Sequence, residues 1–303
     1  MFRYIFYRVA QVAGLIIGVL MLVFFMVRLT GDPSALMLSR EASPAQIEAF
    51  RQANGFDRPI LEQFGSYMGG VVRGDLGQSL NYNMPTMQLI SGRMPATLEL
   101  AVAALLIALV VAVPLGVLGG IYPHTVAGAA ARLVGLLGQS VPSFVWAILF
   151  ILLFALNIQG LPSSGRSGLN SLILPALALS LGGMGQLTRL TRAMVLEVRE
   201  ENYVRAARAR GLSGRAVAFR HILPNVAIPL ISVVGIQFTY LLGGSVYIET
   251  IFAWPGLGLL LQEAIFNNDF PLIQAITIFI ALFAISINLV TDLLYAWIDP
   301  RVR

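Results

Sequence analysis

A chain of 303 residues with 57% hydrophobic and 12% charged side chains is too apolar for a soluble domain, since those run to about 45–50% apolar and about 25% charged. It has no cysteine and no lysine, all twenty basic residues being arginine. That excludes a disulfide framework, a thiolate metal site, a Cys nucleophile and any phosphate loop ending in Gly-Lys-Ser/Thr. The net charge of +5 is read as a matter of membrane topology, and no nucleic-acid partner is expected.

Several runs of about twenty apolar residues predict a polytopic, all-helical membrane protein. Residues 1–29 carry Arg3 and Arg8 before an apolar run over 9–27. The run is too long for a signal-peptide core and is read as a retained first helix starting in the cytoplasm. Residues 30–95 form the longest non-membrane stretch. Gly31, Asp32 and Pro33 end the first helix, Ser43-Pro44 opens an amphipathic segment, and Asn54-Gly55 and Asp57 to Pro59 mark turns. Ile60, Leu61, Phe64, Tyr67 and Met68 then give a helical apolar stripe, so this stretch reads as a small folded cap outside the membrane.

The remaining 96–303 hold five spans. The second covers 98–120 and contains Pro114. A short inner loop over 122–132 leads to a third at 133–158. An outer Gly/Ser turn precedes a fourth at 172–187, interrupted by Pro175, Gly182, Gly183 and Gly185. Such small residues let membrane helices pack closely, or unwind where they line a cavity. The fifth span is expected at 228–247, with Pro229 near its first turn, and the sixth at 272–298. Residues 249–270 are too interrupted to cross.

Between spans four and five lies a long polar passage, 196–225, whose part from Glu200 reads EENYVRAARARGLSGRAVAFRHILPN. Locally it predicts two short helices. Glu200 and Glu201 suit a helix N-terminus, Asn202 caps it, Ala206, Ala207 and Ala209 are strong formers, and Gly211 is the residue after the C-cap. Ser213 caps a second helix, which Pro224 is expected to stop. Tyr203, Ala207 and Arg210 share one face, where small residues leave room for a partner.

This passage resembles the cytoplasmic coupling loop of importer-type ABC transporter permeases, whose pattern is E-A-A, three residues, G, nine residues, I-x-L-P. Ala206-Ala207, Gly211 and Leu223-Pro224 fall in register, whereas Arg205 stands for the Glu and His221 for the Ile. With ENYVRAARARGL and RHILPN, these departures look like the oligopeptide/dipeptide/nickel branch, specifically a dipeptide-permease B-subunit. The order LTGDP, GFDRPILEQFGSYM, RGDLGQSL and RMPATLEL extends that likeness along nearly the whole chain. The 249–270 segment is similar to the family's outer re-entrant or gate segment.

The resemblance implies a type I importer permease fold of six transmembrane helices with both termini cytoplasmic. It implies a heterodimer with a homologous second permease, two ABC ATPase subunits inside and a substrate-binding protein outside, in a bacterial inner membrane. Glu201, Tyr203, Arg205, Ala206, Ala207, Arg210, Gly211 and Leu212 are then the expected ATPase-coupling residues. No cofactor is expected on this chain, ATP and Mg belonging to the partner subunits. Charge agrees with that topology: thirteen arginines fall inside and seven outside, most of the seven in one long loop where the positive-inside rule weakens.

Polar residues at membrane depth are costly and mark candidate function. Gln139, Ser140 and Ser143 flank Pro142, Gln186 lies in the fourth span, Gln237 and Thr239 in the fifth, and Gln274, Thr277, Asn288 and Asp292 in the sixth. Amides and hydroxyls of this kind suit a path that bonds transiently to a peptide backbone; any single one more readily suits a bond to a neighbouring helix, and as a set some are expected to line the path. Glu249 and Asp292 read as interfacial or gate contacts, and Asp32, Asp75 and Asp269 as turn residues. An ion-coupled secondary transporter remains the alternative, with few intramembrane charges to serve it. Catalysis is not expected. The two G-x-S matches, at Ser140 and Ser245, lack a base, because both histidines, His124 and His221, fall in loops.

Overall fold

The computed structural model describes residues 2–29, 43–53 and 55–298. Residues 30–33, Asn54 and the tail 299–303 discussed above lie outside them. The helices are α1 Phe2–Leu29, α2 Pro44–Ala53, α3 Ile60–Val72, α4 Thr86–Ile121, α5 Val126–Ser140, α6 Ser143–Phe150, α7 Leu169–Arg199, α8 Asn202–Ala209, α9 Gly214–Val217, α10 Leu223–Ile251, α11 Leu257–Phe266 and α12 Phe270–Ile298. Among the described residues, four helical stretches are long and apolar enough to cross a bilayer, or five if one bent pair counts as a span.

The chain divides into two compact bodies, Met1–Pro95 with Gly256–Ile285, and Ala96–Pro255 with Ser286–Arg303. In the first, Leu20, Val23 and Ile278 are buried with Tyr67 and Met68 packed on them, and Phe24 meets Phe64 edge to face at 5.1 Å. A second core joins Ile90 to Leu257, Leu260, Leu272 and Ile276. Asp269, expected to be a simple turn residue, is 1% exposed. One carboxylate oxygen accepts from Ser79 Oγ and the Asn81 amide, and the other accepts from Leu272 N to cap α12. It therefore fastens a loop 190 residues away in sequence. Beside it, Tyr82 donates to Glu263 at 2.8 Å. Burial and that carboxylate hold the Tyr82 phenol above its usual range, so it stays a donor at neutral pH.

The second body rests on small residues. Along α4, Ala96, Leu100, Ala104, Ala108 and Ala112 recur every four residues and are buried, whereas Val102, Leu106 and Val110 on other sides are exposed. That is one seam of a helix with its remaining flanks left for lipid. The seam continues as Gly116 and Gly120, where an added Cβ would come 2.7 Å from Thr191 Cβ and 2.5 Å from Val195 Cγ1 of α7. Gly138 of α5 meets α7 in the same way, 2.5 Å from Leu181 O and 2.7 Å from Gly185 Cα.

These contacts correct the sequence reading of the fourth span. Pro175 and the three glycines do not interrupt it: α7 is one helix of 31 residues, its glycines serving close approach rather than unwinding. The third span is corrected the other way. At Val141-Pro142 the backbone becomes extended, because the ring of Pro142 excludes the helical region for the residue before it. The helices on either side bend by 98°. The inner loop is also shorter than expected, since α5 starts at Val126.

A knot of contacts closes one end of this body. Gly165 N donates to Phe252 O at 2.7 Å, Arg166 pairs with Glu99 at 2.6 Å, and the fully buried Trp254 donates its indole N–H to Ala96 O at 2.8 Å. Glu249, read as an interfacial or gate contact, is fully buried rather than at an exposed boundary, because α10 runs on to Ile251 and the following turn folds Phe252 and Trp254 inward.

Candidate functional site: the elbow and the amide-lined cavity

Two places carry the polar residues singled out above. The first is the elbow between α7 and α10. Helix α8 turns Val204 and Ala207 inward, where they pack with Val195, Val217, Ile222 and Val226. Gly211 follows the C-cap with φ +80°, and nothing lies within 4 Å of where its Cβ would stand. Its requirement is therefore conformational. Ser213 caps α9 by accepting from Ala216 N at 3.3 Å.

Two expectations fail here. Asn202 is the first residue of α8 rather than its cap, which is Glu201. Pro224 does not stop the second helix, because the chain passes from α9 through a π-turn at Ala218–Ile222 directly into α10. A proline in a first turn lacks an N–H that would have had no helical partner anyway, so it begins α10 at its first turn. Pro229 lies well inside that helix.

The elbow's outer surface is what remains. Glu201, Tyr203, Arg205, Ala206, Arg208, Arg210 and Gly211 are exposed, and Leu212 is half-buried against the core. Ala207, grouped with Tyr203 and Arg210 on an outward face, is only 5% exposed and belongs to the core. Arg205 reaches Glu200 at 3.1 Å, both exposed. The Tyr203 phenol is pushed up by partial burial and by the Glu201 carboxylate. Phe219, 71% exposed on the same elbow, drew no attention as sequence. An apolar side chain beside Arg215 and Arg220 was the available signal.

The second place is a cavity of about 230 Å³ among α5, α6, α7 and α10. It is lined by Gln139, Ser143, Gln186 and Gln237 together with Gly138, Gly182, Gly183 and Tyr240. Four of the eight expected path residues thus converge. Gln237 is nearly buried, and its amide fills the space that a side chain at Gly183 would take. Thr239 lines a second, larger cavity of about 530 Å³ with Ile236, Tyr240, Gly243, Tyr247 and Asn288. Ser140 is exposed and lines neither. Gln274 and Thr277 belong to the other body, Thr277 Oγ1 donating back to Ile273 O at 2.8 Å.

Tyr240 and Tyr247 were missed. With Ile236 and Gly243 they recur at spacings of four, three and four on α10, and Ile236, Tyr240 and Tyr247 are 50%, 66% and 63% exposed. No charged residue lines either cavity, so the lining offers hydrogen bonds and aromatic surface without a fixed charge.

Residues 112–303 match the family described as the binding-protein-dependent transport system inner membrane component, and residues 1–101 match the N-terminal model of such membrane components. The chain belongs to this permease family. A putative peptide transport system permease of Brucella abortus is 38% identical over 98% of this chain and 97% of its own. The oligopeptide transport permease AppB of Bacillus subtilis is 34% identical over the full length of both. The glutathione transport permease GsiC of Escherichia coli is 36% identical over 100% of this chain and 99% of its own. Among solved structures, a chain of the MetNI methionine ABC transporter in an inward-facing form has the same fold, with a TM-score of 0.60 at 17% identity, over 70% of this chain and 97% of that one. The permease is accordingly an all-helical membrane component of an ABC importer.

Proposed function

We propose that this permease carries short peptides, or similarly small amide-bearing solutes, inward across a bacterial inner membrane. It does so as one of two homologous permeases, with ATP hydrolysed by two partner ATPases and solute delivered by an extracytoplasmic binding protein. Support for the cargo comes from relatives named for peptide, oligopeptide and glutathione transport and from a charge-free, amide-lined cavity. Six spans with both termini inside fit the arginine distribution, with α2 and α3 in an outer cap. ATP hydrolysis falls to the partner chains, because without lysine this one has no nucleotide phosphate loop.

The observation that carries this reading is the elbow. Its arginine-rich outer face is raised on a packed hydrophobic core, so a push on α8 reaches α7 and α10 as a rigid lever. The ATPases dock there through Tyr203, Arg205, Arg208 and Arg210. The exposed tyrosines of α10 face the second permease, because phenolic hydroxyls left in hydrocarbon are costly without a partner. Ligand and nucleotide switch such a bundle only by binding its two states with different affinity.

The test is co-purification of tagged permease with its ATPase subunits. Arg208→Glu with Arg210→Glu should lose the ATPases and solute uptake while membrane abundance stays near wild type. ATPases that remain bound and uptake that persists in this variant would refute the docking role.

A further inference from the structure

Three arginines outside the elbow gather at the seam where α4, α5 and α7 meet. Arg189 and Arg192 stand one turn apart on α7. A Cβ on Gly135 of α5 would lie 3.8 Å from Arg189 Cβ, and one on Gly119 of α4 would lie 3.5 Å from Arg192 Cδ and 2.5 Å from Ala131 Cβ of α5. Arg132, next to Ala131, donates to Pro123 O at 3.0 Å. Arg189 and Arg192 form no ion pair or hydrogen bond among the described residues, and the Nε of Arg192 is buried without a partner. The half-buried Arg192, whose Nε has no acceptor, is unfavourable as it stands, and the like charge of the exposed Arg189 one turn away adds to that cost.

The surroundings say what kind of anion relieves it. Running from the arginines along α5, Leu133, Leu136 and Leu137 are 56%, 64% and 43% exposed. A basic group at one end of an exposed apolar helix face matches a molecule with an anionic head and a hydrocarbon tail. Guanidinium forks fit phosphate oxygens two at a time. We propose that the α5–α7 seam binds a phospholipid with an anionic headgroup, its phosphodiester held by Arg132, Arg189 and Arg192 and one acyl chain lying along Leu133, Leu136 and Leu137. A free phosphate shares the head chemistry but leaves the leucines uncovered. The assignment to the inner leaflet rests on the cytoplasmic placement of the elbow; the lipid contact does not.

The full chain, purified in a neutral maltoside detergent, would be titrated with dioleoyl-phosphatidylglycerol or dioleoyl-phosphatidylcholine and read by native mass spectrometry. Wild type should retain one phosphatidylglycerol and little phosphatidylcholine. Arg189→Gln or Arg192→Gln should weaken retention about fivefold each, from about one surface-charge increment per arginine. Arg215→Gln on the elbow should change nothing. If the glutamine variants unfold, as judged by melting without lipid, Arg189→Lys with Arg192→Lys keeps the charge and should still weaken retention by removing the fork. Equal retention by wild type and the paired variants overturns the site. So does equal binding of phosphatidylcholine, or displacement of the lipid by inorganic phosphate, which would make it a free-anion site. Because the sequence has no cysteine, Ser213→Cys reports topology separately: labelling from outside intact cells would defeat the inner-leaflet placement and leave the lipid measurement standing.

Discussion

Ala207 and Gly211, four residues apart on one elbow, fail for different reasons when changed. Ala207 is buried among Val195, Val204 and Ile222, so Ala207→Glu places an unpaired charge in a core at a cost of roughly 3 kcal/mol or more. Against a typical total of about 5–15 kcal/mol, the variant should largely vanish from membranes, and quantitative immunoblotting would show it. Gly211 has open space but φ +80°, so Gly211→Ala costs only backbone strain, about 1–2 kcal/mol. It should lower the melting midpoint modestly with the protein still abundant. Arg205 separates folding from docking. Its pairing with Glu200 is fully surface-borne at 63% and 67% exposure, worth at most about 1 kcal/mol. Arg205→Ala should leave melting unchanged and reduce uptake. Unchanged uptake would remove Arg205 from the docking face.

Helix packing makes a sharper distinction between two glycines. At Gly138 an added methyl meets backbone, Leu181 O and Gly185 Cα, so Gly138→Ala forces α5 and α7 apart and should destabilise by a few kcal/mol, in line with overpacking costs of about 1–3 kcal/mol. At Gly183 the methyl meets the amide end of Gln237, which can swing into the adjoining cavity. Gly183→Ala should therefore keep its melting midpoint and lose transport by narrowing the cavity. A large drop in melting with unaltered uptake would reverse both roles. Much at this scale was legible in the sequence. The need for Gly211 and the cap at Ser213 follow from local backbone chemistry alone. The missed features are those local chemistry leaves ambiguous. A proline marks the start of a helix as readily as its end, which is how Pro224 misled, whereas Pro142 fell inside an apolar run long enough to hide a 98° bend. Asp269 reads as a turn because its partners Ser79 and Asn81 are far away in sequence. Tyr240 and Tyr247 carry no local signal in an apolar span until α10 places them along its exposed cavity face.

For the whole molecule the question is where the driving energy enters. A secondary transporter needs ionisable groups that load and release an ion at the cargo site. Neither cavity of this permease has a charged lining residue, and the fully buried Glu249 lines neither of them. Positive charge without an intervening acid is instead dense at the elbow, 205–220, where five arginines lie. Among the described residues, such a bundle offers the proposed external motor a handle and puts no ionisable group in the lining of either cavity. Uptake should therefore stop when cellular ATP is depleted with the proton and sodium gradients held, and should persist when those gradients are collapsed and ATP is maintained. In proteoliposomes the permease pair without its ATPases should show no accumulation under an imposed gradient of either ion. Accumulation there would mean that ion coupling resides in this chain, and the lever reading of the elbow would have to be abandoned.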